Sequence, residues 1–254
     1  MVRKALRDDI IYDWNEIGRR APVVEPGFKL VDETLRDGIQ SPSVRNPSID
    51  QKIEILHLIA ACGIEVADVG LPGAGAAAVA DCKRLVEENR DQKLGLQMSC
   101  AARTHPNDIT AVIDIAHATG ESVEVYGFLG SSPIRRLVEG WDVAKLVGLV
   151  TGAADLCADA GVPFCFVTED TTRSDPRTLD VLFRAAIDHG CERLVLCDTV
   201  GHATPDGQAG LYHFARSVIA ASGAEVELDW HGHNDRGLSL TLCLSALELG
   251  FDRV

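Results

Sequence analysis

The feature that most constrains this fold is the regular alternation of short apolar runs with longer amphipathic segments. The apolar runs predict strands at 28–32, 65–69, 93–97, 122–126, 162–167, 193–196 and 225–229. The amphipathic segments predict helices at 49–62, 76–89, 107–119, 141–160, 176–189, 205–222 and 238–249. Seven successive strand–helix units indicate a parallel sheet covered by helices.

A doubly wound sheet and a closed barrel both fit this alternation, and the repeat length favours the barrel. The units recur at roughly 30 residues, as in a TIM barrel of ordinary size. Residues 251–254 follow a helix and Gly250, and they resemble the opening of an eighth strand. We therefore expect a TIM (β/α)₈ barrel over residues 28–254 that ends at the start of strand eight, after an N-terminal extension over residues 1–27.

Composition excludes several classes of function. The formal net charge is −14, and nucleic-acid binding usually requires a basic surface, so we expect no nucleic-acid partner. No run of 18 apolar residues or secretory signal is present, which argues against a membrane protein. The eight cysteines form no CxxC pair and mostly lie in apolar runs, as buried free thiols do. We expect a cytoplasmic protein.

Polar clusters follow the carboxyl ends of six predicted strands. They lie at 32–40, 70–75, 99–103, 168–175, 198–202 and 231–236. In a (β/α)₈ barrel these strand ends form one face, and that face holds the active site. The sequence therefore predicts one catalytic rim assembled from six separate segments.

Two of these clusters contain candidate metal ligands. His231 and His233 alternate along a strand, so their imidazoles would project from the same face. They could equally be strand-end histidines satisfied by hydrogen bonds. Asp37 lies after the first strand, in a loop that could be a solvated charge run. Because strands one and seven are near neighbours in a closing barrel, Asp37 could reach an ion held by the two histidines.

Four motifs, in this order along the chain, resemble the DRE-TIM metallolyase family. They are Thr34-Leu35-Arg36-Asp37-Gly38-x-Gln40, Glu169-Asp170-x-x-Arg173, Asp198-Thr199-x-Gly201 and His231-x-His233-Asn234-Asp235. The family includes the 2-isopropylmalate, homocitrate and citramalate synthases and 3-hydroxy-3-methylglutaryl-CoA lyase. The resemblance runs from about residue 28 to the end, and the Thr-Leu pair is typical of the synthase branch.

The resemblance implies a divalent ion, Mg²⁺, Mn²⁺ or Zn²⁺, bound by Asp37, His231 and His233. A mixed oxygen and nitrogen site of this kind suits these ions. Arg36 would stabilise the oxygen that becomes negative, and Glu169 would lie beside the substrate as a second catalytic residue. Further substrate-binding candidates are Gln40, Arg103 and Thr199.

The same resemblance implies an acyl-CoA-dependent synthase. Its partners would be acetyl-CoA and a 2-oxo acid, which condense to a 2-hydroxy diacid with release of CoA, and we expect a homodimer. A lyase or aldolase running the reverse reaction is the alternative enzyme. An inactive metal-binding fragment or paralogue is a third possibility.

Several candidate residues also have ordinary structural explanations. Glu169 and Asp170 could cap the helix that begins near Pro176, Asp198 and Thr199 could cap a turn, and Arg103 could be a surface residue. The sequence also departs from the family pattern. Asp68 stands where the family often has glutamate, and the loop 127–136 is unusual, so the substrate could differ in size or charge.

The end of the chain is the largest departure. The family's eighth strand carries a further metal-ligand asparagine, and a following subdomain takes part in deprotonating acetyl-CoA. Val254 precedes both. We therefore expect an open seam with unpaired backbone on two edges, and a 254-residue chain that does not catalyse condensation and that aggregates or pairs with another chain.

Overall fold

A computed structural model describes residues 27–254 as a curled sheet of seven parallel strands. The extension predicted for residues 1–27 lies outside the described residues, apart from Gly27. The strands are β1 (Val31–Asp32), β2 (Val66–Asp68), β3 (Gln97–Arg103), β4 (Val123–Gly130), β5 (Phe164–Glu169), β6 (Arg193–Asp198) and β7 (Glu227–Gly232). Each strand pairs with the next one in sequence, which is the strand order of a TIM barrel and confirms the predicted fold class.

Helices cover the outside of the sheet. They are α1 (Ile49–Ala61), α2 (Ala76–Gln92), α3 (Pro106–Thr119), α4 (Pro133–Glu139), α5 (Val143–Ala160), α6 (Pro176–Asp188), α7 (Pro205–Ser222) and α8 (Ser239–Leu249). Apolar helix faces pack on the sheet in one continuous core. The short α4 falls in the loop 127–136, where the sequence predicted no helix. None of the helices within residues 27–254 combines the length and apolar character needed to cross a membrane.

Helix boundaries follow from capping residues. At the start of α1, the Ser48 hydroxyl accepts from the Gln51 backbone N–H, and the Gln51 side chain accepts from the Ser48 N–H, a complete capping box. At the end of α5, Gly161 takes a left-handed conformation with φ of 68°, which favours a residue without a Cβ. These signals are local, so the sequence could predict them.

The predicted third strand was misplaced. The sequence favoured 93–97, but β3 is Gln97–Arg103, and the segment before it turns sharply, with Lys93 at φ 54° and Gly95 at φ 79°. The strand reads Gln-Met-Ser-Cys-Ala-Ala-Arg and lacks β-branched residues. Burial between β2 and β4 fixes its conformation instead, so 99–103 is a strand rather than the rim loop that we predicted.

The open seam that we expected between β7 and β1 is partly bridged. The expectation was therefore wrong for the part of the seam where residues 252–254 lie. Residues 252–254 lie between β7 and the segment leading into β1. The Trp230 N–H donates to the Arg253 carbonyl at 3.0 Å, and the Val31 N–H donates to the Val254 carbonyl at 2.9 Å. Arg253 therefore forms parallel bridges with both Lys29 and Asp229, and the sheet is joined on both sides there.

Candidate metal centre

One cavity at the carboxyl end of the strands collects most of the predicted site residues. Its volume is about 260 Å³. The predicted residues that line it are Arg36, Asp37, Gln40, Glu169, Thr199, His231 and His233. Segments separated by almost 200 positions thus meet at one rim, because all the strands are parallel and their carboxyl ends lie together.

Three potential metal ligands converge in this cavity. His231 lies in β7 and His233 just after it, and their Nε2 atoms are 3.1 Å apart. Asp37 Oδ2 lies 3.8 Å from His233 Nε2. One ligand atom from each of the three residues falls within 4.8 Å of the others. The structure therefore brings together the residues that the sequence predicted as ligands.

This geometry fits a divalent ion. Two imidazole nitrogens that each bind an ion at about 2.1 Å lie roughly 3 Å apart when the angle at the ion is near 90°, close to the separation of the two histidines. One carboxylate oxygen and two imidazole nitrogens suit zinc, manganese or a similar ion. Three ligands also leave coordination positions open for substrate.

Glu33 orients this group and was not among the predicted site residues. Its Oε1 lies 3.5 Å from His231 Nδ1, and its Oε2 accepts from Arg36 Nε at 2.6 Å. Burial raises the Glu33 pKa, but the hydrogen bond to His231 and the charge of Arg36 outweigh burial, so the pKa lies below its ordinary value. A carboxylate behind a ligating histidine fixes its ring orientation. The sequence signal that could have identified Glu33 is its position three residues before Arg36.

Arg36 is held among carboxylates. Its Nη1 donates to Asp37 Oδ1 at 3.1 Å, and its Nε lies 3.4 Å from Asp68 Oδ2. Burial lowers the Arg36 pKa, but the charges of Glu33, Asp68 and Asp37 outweigh burial. The pKa therefore lies above its ordinary value, and the group stays cationic. Its guanidinium is thus fixed in place before any substrate arrives.

Asp68 occupies the floor of the cavity and is buried. Burial and the neighbouring charge of Glu33 raise its pKa well above the ordinary value, against the opposing charge of Arg36. Glu33 and Asp37 as carboxylates against Arg36 leave a formal charge of about −1, to which a divalent ion would be attracted. The cluster is therefore electrostatically suited to a dication.

Of the motifs that follow β5 and β6, some residues line the cavity and others stabilise the turns around it. Thr199 Oγ1 accepts from the Asp170 backbone N–H at 2.8 Å, so its own hydroxyl proton is available to a ligand. The Asp170 carboxylate pairs with Arg173 through two hydrogen bonds of 2.7 Å. Asp198 is fully buried and accepts from Thr172 and from backbone N–H groups of the following turn, so its role is to shape that turn.

The suggestion that Glu169 or Asp170 caps a helix is wrong, because the cap of α6 is Asp175, which accepts from the Thr178 N–H at 3.0 Å. Arg103 is the predicted residue that does not line the metal cavity. It lines a neighbouring cavity and donates to Asp108 through Nε at 2.6 Å and Nη2 at 3.0 Å.

Comparison with known proteins agrees with this geometry. The family model described as HMGL-like matches residues 27–254. A 2-isopropylmalate synthase from Pyrococcus furiosus is 30% identical over 229 residues, which cover 89% of this chain and 44% of that protein. A relative from Methanosphaerula palustris named for (R)-citramalate synthase is 29% identical and is covered over 41% of its length. The chain thus spans less than half the length of these curated relatives.

Solved structures show the same fold. Hydroxymethylglutaryl-CoA lyase from Pseudomonas aeruginosa superposes with a TM-score of 0.72 at 19% identity, over 90% of this chain and 75% of the lyase. At that identity the likeness concerns the fold alone. The sequence relatives are synthases and this structural neighbour is a lyase, so the chemistry must be inferred from the site.

Proposed function

The chain belongs to the HMGL-like family, and from that premise we propose that its site condenses acetyl-CoA with a 2-oxo acid in a metal-dependent reaction. The observation that carries the proposal is the single cavity in which three metal-ligand side chains, a fixed guanidinium, a carboxylate and a free hydroxyl face one another. The product would be a 2-hydroxy diacid, formed with hydrolysis of the thioester and release of CoA.

The metal would be held by Asp37, His231 and His233, and when bound it would act as a Lewis acid toward the ketone oxygen of the 2-oxo acid. Asp37 is placed to serve two neighbours, since its Oδ1 accepts from Arg36 and its Oδ2 faces His233. The ligand group and the guanidinium are therefore coupled through one carboxylate. The identity of the ion, Mg²⁺, Mn²⁺ or Zn²⁺, remains part of the proposal.

Arg36 would stabilise negative charge that develops on the ketone oxygen. A guanidinium is always charged and is held here by Glu33 and Asp68, so no reorganisation is needed during the reaction. Thr199 would donate its hydroxyl proton to the carboxylate of the 2-oxo acid. Glu169 would lie beside the substrate, and Gln40 would contact it from the turn after β1.

The direct test is release of free CoA from acetyl-CoA by the metal-loaded protein, expressed from its complete gene, in the presence of a series of 2-oxo acids. We expect thiol release that requires both the ion and a 2-oxo acid. Arg36→Lys should lower it at least about 100-fold, the size expected when an oxyanion-stabilising group is removed. Thiol release that persists without any 2-oxo acid would instead indicate a hydrolase.

A carbon–carbon lyase is the second candidate. The same ligands and the same arginine would serve the reverse reaction. The Thr34-Leu35 pair, which resembles the synthase branch, favours condensation. Formation of acetoacetate from a hydroxyacyl-CoA, without thiol release from acetyl-CoA, would transfer the assignment to the lyase.

A further inference from the structure

A backbone position with an unfavourable conformation lies beside the metal cavity. Among the described residues, two that are not glycine have a positive φ, Lys93 at 54° and Asp170 at 59°. Lys93 follows α2, and a left-handed residue is common at the carboxyl end of a helix. Asp170 instead follows β5 directly. Left-handed conformations are costly for residues with a Cβ, and they are concentrated at functional sites.

Hydrogen bonds hold Asp170 in this conformation from three sides. Its carboxylate accepts from Arg173 Nε and Nη2, both at 2.7 Å. Its backbone N–H donates to Thr199 Oγ1 at 2.8 Å, and its carbonyl oxygen accepts from the Ser174 hydroxyl at 3.1 Å. Asp170 is buried, so water does not compete for these bonds. A strained residue persists where its surroundings over-determine it, and that condition is met here.

The Ser174 hydroxyl extends this support to the next strand. Because its proton is donated to the Asp170 carbonyl, its oxygen accepts from the Ser131 hydroxyl, which lies 2.9 Å away. Ser131 directly follows β4 and is fully buried. The conformation of Asp170 is therefore fixed by contacts with the segments that follow β4, β5 and β6.

The conformation of Asp170 determines where two residues of the metal cavity lie. Glu169 precedes Asp170 in the chain, Thr199 accepts its N–H, and both line the cavity. That N–H belongs to the peptide group between Glu169 and Asp170. A change of φ at Asp170 would turn this peptide group, break the bond to Thr199 and move the Glu169 side chain at the same time.

We propose that Asp170 is a positioning residue whose left-handed conformation, held by Arg173, directs Glu169 and the Thr199 hydroxyl toward one bound 2-oxo acid. This inference rests on the proposed function, because it takes the bound molecule to be a 2-oxo acid. Asp170 does not line the cavity, and its carboxylate is occupied by Arg173. It acts on the acid through the backbone.

The test measures pyruvate binding by calorimetric titration of the Mn²⁺-loaded protein, expressed from its complete gene. Asp170→Ala removes the bonds to Arg173 and leaves a residue that disfavours the left-handed conformation. It should weaken pyruvate binding at least about 10-fold, the size expected when a hydrogen bond in the site is lost. Asp170→Asn should stay within about 3-fold of wild type, because asparagine adopts this conformation more readily and keeps an acceptor for Arg173.

Metal affinity separates positioning from a general disturbance of the site. The proposed ligands come from the segments around β1 and β7, so both variants should bind Mn²⁺ within about 2-fold of wild type. Asp180→Ala is the matched control. The Asp180 carboxylate also accepts from an arginine, Arg184 Nε at 3.0 and 3.1 Å, but it lies in α6, outside the cavity. This variant should leave both affinities unchanged.

A second variant approaches the same contact from the other side. Arg173→Gln, at a side chain that is about one-third exposed, releases Asp170 without altering it, and should weaken pyruvate binding in the same direction. Circular dichroism and urea unfolding check that each variant is folded. If Asp170→Ala does not fold, the comparison of Arg173→Gln with Asp170→Asn decides the question.

Unchanged pyruvate affinity in Asp170→Ala and Arg173→Gln would overturn the inference. Asp170→Asn that binds as weakly as Asp170→Ala would do the same, because the charge rather than the conformation would then matter. Equal loss of metal and pyruvate affinity would also contradict positioning. Asp170-dependent pyruvate binding without CoA release would uphold the inference while refuting condensation. CoA release and pyruvate affinity that Asp170→Ala leaves intact would do the reverse. Wild-type protein that binds no pyruvate would overturn both proposals.

Discussion

The barrel contains two clusters of charge, one at each end of its interior, and they are built on opposite principles. The upper cluster consists of Glu33, Arg36, Asp37 and Asp68 beside the paired histidines. The lower network consists of Glu124, Arg193, Asp229 and Arg253, with Tyr126 above it. In the lower network two cations face two buried carboxylates, whereas in the upper cluster three carboxylates face one guanidinium.

The charges of the lower network are paired within the chain. Arg253 Nη1 donates to Glu124 Oε2 at 2.7 Å and to the Tyr126 hydroxyl at 2.9 Å, and Nη2 donates to Glu124 Oε1 at 3.1 Å. Arg193 Nη1 donates to Asp229 Oδ1 at 2.6 Å. These four charged residues are each at most 5% exposed. This matched, buried charge joins the strands, although Asp229 Oδ2, Arg193 Nε and Arg253 Nε have no hydrogen-bond partner among the described residues.

The upper cluster is incomplete by comparison. Its charges do not balance, and its histidines are about one-fifth and one-third exposed. Tyr126 separates the two regions, because its ring lines the upper cavity while its hydroxyl accepts from Arg253. The comparison teaches that excess charge, rather than charge itself, marks the ligand-binding end. Four predictions test it.

The largest expected effect is on the lower network. Glu124→Ala would leave Arg253 buried without its carboxylate, and removing one partner of a buried pair costs about 3–5 kcal/mol. We expect the free energy of unfolding in urea to fall by that amount. Glu121→Ala is the matched control, at a half-buried glutamate outside the network, and should change it by less than about 0.5 kcal/mol. If both variants unfold alike, the network does not stabilise the barrel.

The second prediction concerns the upper cluster. His233→Ala should weaken binding of Zn²⁺ or Mn²⁺ at least about 100-fold, or about 2.7 kcal/mol, and should leave the stability of the metal-free chain nearly unchanged. The control is His202→Ala, at an exposed histidine outside the metal cavity. Calorimetric titration measures the affinity. Equal metal affinity in wild type and His233→Ala would remove the distinction between the two regions.

The rim residues could be predicted from sequence because their signals are local. The alternation of His231 and His233 fixes their common face, and the strand–helix repeat places Asp37 on the same rim. The lower network could not be predicted in this way. Glu124 and Arg253 are 129 positions apart, and each taken alone resembles an ordinary surface charge. Only the closing of the sheet, which the sequence indicated as an open seam, brings them together.

The third prediction uses pH to separate the regions. Burial raises the pKa of Asp229 to about 6, although Arg193 and Arg253 oppose the shift. The folded chain therefore binds a proton that the unfolded chain releases near pH 4, so stability falls as pH rises through this window. Between about pH 4.5 and pH 6, deprotonation of Asp229 should lower the free energy of unfolding by about 1.5 kcal/mol.

Asp229→Asn should abolish that slope while keeping a hydrogen-bond acceptor for Arg193. Urea unfolding of both proteins across the pH range measures the difference between them. A constant difference in unfolding free energy would show that Asp229 has the same pKa in the folded and unfolded chains. The elevated pKa would then be refuted.

The smallest expected effect is on metal affinity when Glu33, the carboxylate beside His231, is changed. Glu33→Gln keeps the shape of the side chain but removes the charge that faces His231 Nδ1. Loss of such an orienting carboxylate lowers metal affinity about 10-fold, or about 1.4 kcal/mol. Glu65→Gln removes an equal charge from an exposed site before β2 and should change the affinity less than 2-fold. Because the two variants alter net charge equally, a difference between them in calorimetric titration measures orientation of the imidazole. If both weaken binding equally, the upper cluster attracts the ion through its overall negative charge alone, and Glu33 has no positioning role.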